Sequence, residues 1–78
     1  MGSRSQNERR FERWRELPGG GRCYEIITPG RHYGSAKYYK LVDEDEVTIR
    51  FWQEIYDGNG VLTEIHEKFP LDTGHHKL

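Results

Sequence analysis

One turn constrains this chain more than any other feature. Asp57-Gly58-Asn59-Gly60 lies between two runs in which apolar and polar residues alternate, Val47 to Tyr56 and Val61 to Phe69. A period of two belongs to strands, and a Gly-rich three-residue loop between two such runs closes a hairpin whose last glycine is left-handed. Asp57 then faces Val61, and odd positions pair with odd. This register puts Val47, Ile49, Phe51 and Ile55 on one face with Val61, Ile65 and Phe69. A slip of one residue mixes apolar with charged positions, so turn chemistry and pattern agree on the expected core face.

Two more strand-like runs precede this hairpin, near Arg22 to Thr28 and Ala36 to Val42, with Pro29-Gly30 and Asp43 to Glu46 as their boundaries. No helical pattern lies between the runs, so the connections are hairpins and the sheet is antiparallel. A tight turn at Glu44-Asp45 pairs Val42 with Val47 and brings Val42, Tyr38 and Ala36 onto the core face. Lys40 then points the same way, so either it reaches an edge along its aliphatic stem or this register is off by one.

Ahead of the strands, Ser5-Gln6-Asn7-Glu8 has the Ser-x-x-Glu form of a capping box. Phe11, Trp14 and Leu17 follow at three-residue spacing, and Pro18 with Gly19 to Gly21 ends the run. The pattern predicts a helix of about 12 residues, marginal alone, whose apolar stripe docks on the sheet. Met1 to Arg4 are expected to have no structure. The fold expected is therefore α+β, residues 5 to 78 forming one small domain with one N-terminal helix on one face of an antiparallel meander of about four strands.

A chain of 78 residues has room for one core only, and it buries about 60% of its unfolded surface. Its single cysteine, Cys23, excludes an internal disulfide and reads as a buried apolar residue rather than a reactive thiol. Ten aromatics compensate for a hydrophobic fraction of 33%, which argues for a folded domain. No apolar run has the length of a membrane span, and no signal sequence is legible, so the expectation is a soluble chain without membrane contact, cytoplasmic in place. Charge is uneven: residues 1 to 40 carry nine Lys/Arg against four Asp/Glu, and residues 41 to 78 carry three against nine. The basic half suits nucleic acid or an acidic protein; alternatively the two halves neutralise each other.

The face opposite the core is the candidate site. In the register above it carries Lys37, Tyr39, Arg50, Trp52, Glu54, Glu64, His66 and Lys68, with Trp52 opposite His66. Aromatic and basic residues interleaved on a sheet suit stacked bases and held phosphates. Lys37, Tyr39, Trp52 and Lys68, with Arg9 and Arg13 flanking the helix stripe, are the binding candidates. The same face holds parts for acid/base chemistry: Glu64 or His66 moves protons while Arg50 offsets developing charge. His32, His66, His75 and His76 have no metal-ligand spacing, and no loop cradles a phosphate, so neither metal nor cofactor is expected.

Phe51 to Gly60, with Glu64 to Pro70 and Thr73-Gly74-His75, resembles the C-terminal tip domains of bacterial polymorphic toxins, which often end in hairpins of a Tyr-Asp-x-x-Gly type. The resemblance covers about the last 25 residues. It implies a small nuclease with a helix and a four-stranded sheet, carried in an exported larger protein, with Arg50, Glu64, His66, Lys68 and His75 as the residues available for catalysis. The residues themselves favour an interaction domain that binds protein or nucleic acid through the polar sheet face and basic helix. A metal-independent ribonuclease is the alternative, and a structural module forming a homodimer through an edge strand is a third.

Overall fold

A computed structural model describes residues Ser3 to Leu78; Met1 and Gly2 lie outside the described residues. A short helix, α1 (Arg4–Arg10), precedes six strands: β1 (Arg13–Glu16), β2 (Arg22–Pro29), β3 (Ser35–Val42), β4 (Thr48–Tyr56), β5 (Leu62–Phe69) and β6 (Gly74–Lys77). They form one antiparallel sheet in the order β1-β2-β3-β4-β5-β6. The α+β class and the meander are as expected, but the sheet has six strands rather than about four.

The two extra strands come from segments read otherwise in the sequence. The helix stops at Arg10 instead of running to Leu17, and its capping box is Ser3 with Gln6, not Ser5 with Glu8. Glu8 instead turns its carboxylate to Arg22, 2.6 Å away. Arg13 to Glu16 extend and pair with Glu25 to Arg22, which satisfies part of the free edge of β2. Three-residue spacing of Phe11, Trp14 and Leu17 fits a helix, but a seven-residue helix gains little by growing when an open strand edge offers backbone partners. At the other end, His75 and His76 join β6, where alternation sends them to opposite faces.

The turn at Asp57 forms as expected. The Asp57 N–H donates to the Val61 carbonyl at 2.9 Å, Gly60 has φ +80°, and Asp57 Oδ1 accepts from the N–H groups of Asn59 and Val61. The register then departs from expectation within two residues. Tyr56 pairs with Leu62, but Ile55 pairs with Glu64, so a bulge at Thr63 adds one residue to β5. Such a bulge inverts the facing of everything beyond it. Glu64 and His66 turn to the face of Gln53 and Ile55, while Ile65 and Glu67 join Trp52 and Glu54.

The hairpin before it repeats the device. Asp43 N–H donates to the Val47 carbonyl at 3.0 Å, and Glu46 takes the left-handed position with φ +62°. Val42 pairs with Thr48 rather than Val47, and Leu41 with Arg50, leaving Ile49 as the added residue. Ala36, Tyr38 and Val42 share the helix face as expected. Lys40 is there too, and its ammonium reaches Asn7 Oδ1 at 2.9 Å.

The core is consequently displaced from the expected hairpin. Phe11, Tyr24 and Val42 are its buried residues, with Ile26, Tyr38 and Phe51 packed around them. Val47, Ile49, Val61 and Phe69, all expected inside, are exposed, and Ile65 lies on the opposite face. Helix α1 covers the half of its face nearest the Leu17 to Gly21 and Asp43 to Val47 turns. The other half stays open beneath the Gly30 to Gly34 hairpin. Gly34 allows that hairpin to sit close: a Cβ there would lie 2.3 Å from the Tyr56 carbonyl oxygen. Gly34→Ala should therefore cost about 1–3 kcal/mol, read as a lower melting temperature.

Candidate nucleic-acid interface

The face away from the helix is built by simple alternation along β2, β3 and β4. Rows of register partners run Arg13, Glu25, Tyr39, Trp52, Glu67 and, one step along, Ile27, Lys37, Glu54, Ile65. Tyr39 and Trp52 stack with centroids 5.0 Å apart and planes 16° from parallel, and the Arg50 guanidinium lies 3.9 Å from the Trp52 ring centroid. Arg50 also forms a two-pronged ion pair with Glu67, which fixes the orientation of the guanidinium and favours its protonated form. The result is a three-layer stack, Arg50 on Trp52 on Tyr39.

Glu54 ties the next layer down. It accepts from the Trp52 indole N–H at 3.0 Å and from the Tyr56 hydroxyl at 2.5 Å. That hydrogen bond and burial push the Tyr56 hydroxyl up to about 12, and the Lys37 ammonium lies 4.8 Å from the Tyr56 ring centroid. Burial, then the Glu25 carboxylate, hold the Tyr39 hydroxyl well above its ordinary range, so it stays protonated and able to donate. Trp52 is sandwiched between Arg50 and Tyr39, whereas Tyr39 borders a cavity of about 370 Å³ with Arg13, Arg15, Cys23 and Glu25. Burial pushes the Cys23 thiol up, so it lines this cavity as a neutral group.

On the helix face, one buried side chain gathers two carboxylates of the N-terminal segment. Arg22 draws both Glu8 and Glu16 to within 2.6 Å. Among the described residues no carboxylate pairs with Arg9, Arg10 or Arg15, and Arg13 has Glu25 only at 3.9 Å. The uneven charge seen in the sequence is thus largely kept: among the described residues only Arg4 and Glu46 form an ion pair between the two halves.

Of the binding candidates, Lys37, Tyr39 and Trp52 come together here. Arg13 joins them from β1, not from a helix, while Arg9 is exposed in the last turn of α1. Lys68 falls in the second irregularity of β5, where Trp52 pairs with Glu67 and Phe51 with Phe69. The candidate catalytic set is divided by the sheet: Arg50 lies on this face, Glu64 and His66 on the other, because of the Thr63 bulge. His66 has Nε2 2.5 Å from Asp72 Oδ1, which draws the Asp72 carboxyl below its ordinary range, while its Nδ1 is buried without a partner. One ring nitrogen is thus buried and the other engaged by Asp72. The reachable pair on that side is His75 and Glu64, 3.6 Å apart. The sequence reading missed Arg15 and Tyr56, although period-two alternation from Arg13 and Trp52 reaches both; nothing in the sequence brings Asp72 to His66.

Among the described residues no cluster of three His, Cys, Asp or Glu side chains gathers to hold a metal ion. No helix is long and apolar enough to cross a membrane. No protein-family model, curated protein or solved structure matches the chain.

Proposed function

We propose that this chain is a binding domain for single-stranded nucleic acid, with the Arg50-Trp52-Tyr39 stack and the neighbouring basic strand as its interface. The observation that carries this reading is the half-buried Tyr39, which lines a cavity together with Arg13 and Arg15. A base entering the cavity extends an existing stack by one layer, an interaction that favours every base because each has a π face. Arg15, which has no ion pair among the described residues, and Arg13 beside it supply phosphate contacts at the cavity itself. Duplex is disfavoured, since its bases are already stacked on each other. The divided catalytic set leaves Arg50, Glu64 and His66 no shared phosphate to act on, which weighs against cleavage as the role of this face.

Titration of fluorescently labelled single-stranded RNA and DNA at ~50 and ~200 mM salt tests the proposal. Affinity is expected to fall steeply between the two, because each phosphate contact releases counterions. Tyr39→Ala should weaken binding by roughly 5- to 100-fold through one lost stack, at unchanged salt slope. Arg13→Ala with Arg15→Ala should instead flatten the slope. Absence of any binding at the lower salt overturns the reading, and RNA that stays intact throughout separates binding from cleavage.

A further inference from the structure

The half of the helix face that α1 leaves open holds a second cavity, of about 680 Å³, beneath the Gly30 to Gly34 hairpin. That volume lies in the range of small-molecule sites. Its walls include Pro29, Arg31, Ile55, Glu64 and His75, and its floor carries Tyr38 and Gln53, direct register partners on β3 and β4. Gln53 is only 8% exposed, yet its amide makes one hydrogen bond, Nε2 to the Tyr38 hydroxyl oxygen at 2.8 Å.

A carboxamide carries two donor hydrogens and an acceptor oxygen, so Gln53 keeps most of its hydrogen-bonding capacity for whatever enters the cavity. The free groups have a definite arrangement. Because Gln53 Nε2 donates to the Tyr38 oxygen, the Tyr38 O–H is free to donate and Gln53 Oε1 is free to accept. Were the amide turned over, Tyr38 would donate to Oε1, leaving Nε2 to donate and the Tyr38 oxygen to accept. Either way the floor offers at least one donor beside an acceptor. The complement is a flat group with an acceptor and a donor on adjacent atoms, as on the ring amide or amidine edge of a nucleobase. Apolar walls from Pro29 and Ile55 suit the faces of such a ring.

Charge selects among molecules that carry this edge. Arg31 is the one permanent cation on the walls, against the carboxylates of Asp57 and Glu64. A phosphate gains little there, in contrast to the basic strand on the opposite face. We propose that this cavity is a second, separate site that binds a nucleobase or nucleoside without its phosphate, read by Tyr38 and Gln53. The site stands independently of nucleic-acid binding on the other face.

NMR titration of the intact chain with adenosine, guanosine, cytidine and uridine, and with ribose as the control lacking the edge, tests it. At least one nucleoside is expected to shift the amide signals of Tyr38, Gln53, Ile55 and His75 saturably, and ribose to shift none. Gln53→Leu keeps the side-chain volume and removes the acceptor; it should weaken binding at least about tenfold, and Tyr38→Phe should do likewise by removing the hydroxyl. Circular dichroism identifies any variant that fails to fold, and Tyr38→Phe then stands in for Gln53→Leu. No shift with any nucleoside overturns the proposal, as does a shift confined to Arg13, Arg15 and Tyr39. Equal affinity of the wild type and both folded variants overturns it too. A monophosphate that binds more tightly than its nucleoside at this site overturns the charge argument.

Discussion

Tyr24→Ala is expected to leave the chain unfolded at room temperature. Tyr24 is fully buried and is the largest member of a core whose other buried residues are Phe11 and Val42. Its ring meets Phe11 at 5.6 Å and Trp14 at 5.9 Å between centroids, and the Arg22 guanidinium lies 5.9 Å from its centroid. Deleting a buried aromatic costs about 3–5 kcal/mol. A domain of this length has a total stability on the order of 4–12 kcal/mol, and so small a core places it toward the lower end. Tyr24→Phe keeps the ring and removes only the hydroxyl that donates to Glu46 Oε2 at 2.8 Å. It should remain folded and lose about 1–3 kcal/mol, the cost of a buried acceptor left short of one donor. A cooperative melt of Tyr24→Ala within a few degrees of the parent protein would place the core elsewhere.

The second large effect is expected at Glu46, which joins the helix to the sheet. This carboxylate is buried, and it accepts from Asn7 Nδ2 at 2.9 Å, the Tyr24 hydroxyl at 2.8 Å and Arg4 Nε at 3.0 Å. Burial alone pushes the group upward, but the hydrogen bonds from Asn7, Tyr24 and Arg4 outweigh it and hold the carboxyl below its ordinary 4.5. The folded protein therefore binds this proton less tightly than the unfolded chain. The clasp contributes in full above pH 4.5 and is lost as pH falls through the lower folded-state value. Glu46→Ala leaves the buried side chain of Asn7 and the Tyr24 hydroxyl without an acceptor, at a cost of about 3 kcal/mol. In a domain of this size that lowers the melting temperature by more than about 10 °C.

Glu46→Gln offers one acceptor oxygen to three donors and should cost less, about 1.5–2 kcal/mol, while flattening the acid limb of the stability curve. Glu46→Gly separates the two demands on this position. It relieves the left-handed backbone, worth about 1–2 kcal/mol, yet still loses the clasp, so it should be milder than Glu46→Ala. Denaturant melts between pH 3 and 7 distinguish all three. An acid limb in Glu46→Gln as steep as in the parent would assign the acid sensitivity to other carboxylates.

The two halves of the molecule differ in how much of them was legible beforehand. Alternation along β3 and β4 determined that Lys37 and Tyr39 share a face, and that Arg50, Trp52 and Glu54 share one, because side-chain direction within a strand depends only on local backbone geometry. The Asp57 to Val61 turn was equally local: glycine tolerates φ +80° at position 60, and the Asp57 carboxylate satisfies two turn amides. Lys40 was read as a misfit in the core register, and it is on that face, with Asn7 to receive its charge.

What lay beyond local rules was parity and competition. A single added residue at Thr63 carries no mark in the sequence, yet it transfers His66 and Glu64 across the sheet and divides the acid/base set expected on one face. The added residue at Ile49 does the same for the inner hairpin and leaves Val47 and Ile49 exposed. The fate of residues 11 to 17 was decided by the free edge of β2, a partner distant from them in kind though near in sequence. Their spacing fits a helix stripe, and Arg13 to Glu16 fit a strand equally well once an edge exists to receive it. Local chemistry thus determined the turns and the strand faces, and tertiary structure decided which face met which, because pairing energy is gained only after the whole sheet has assembled.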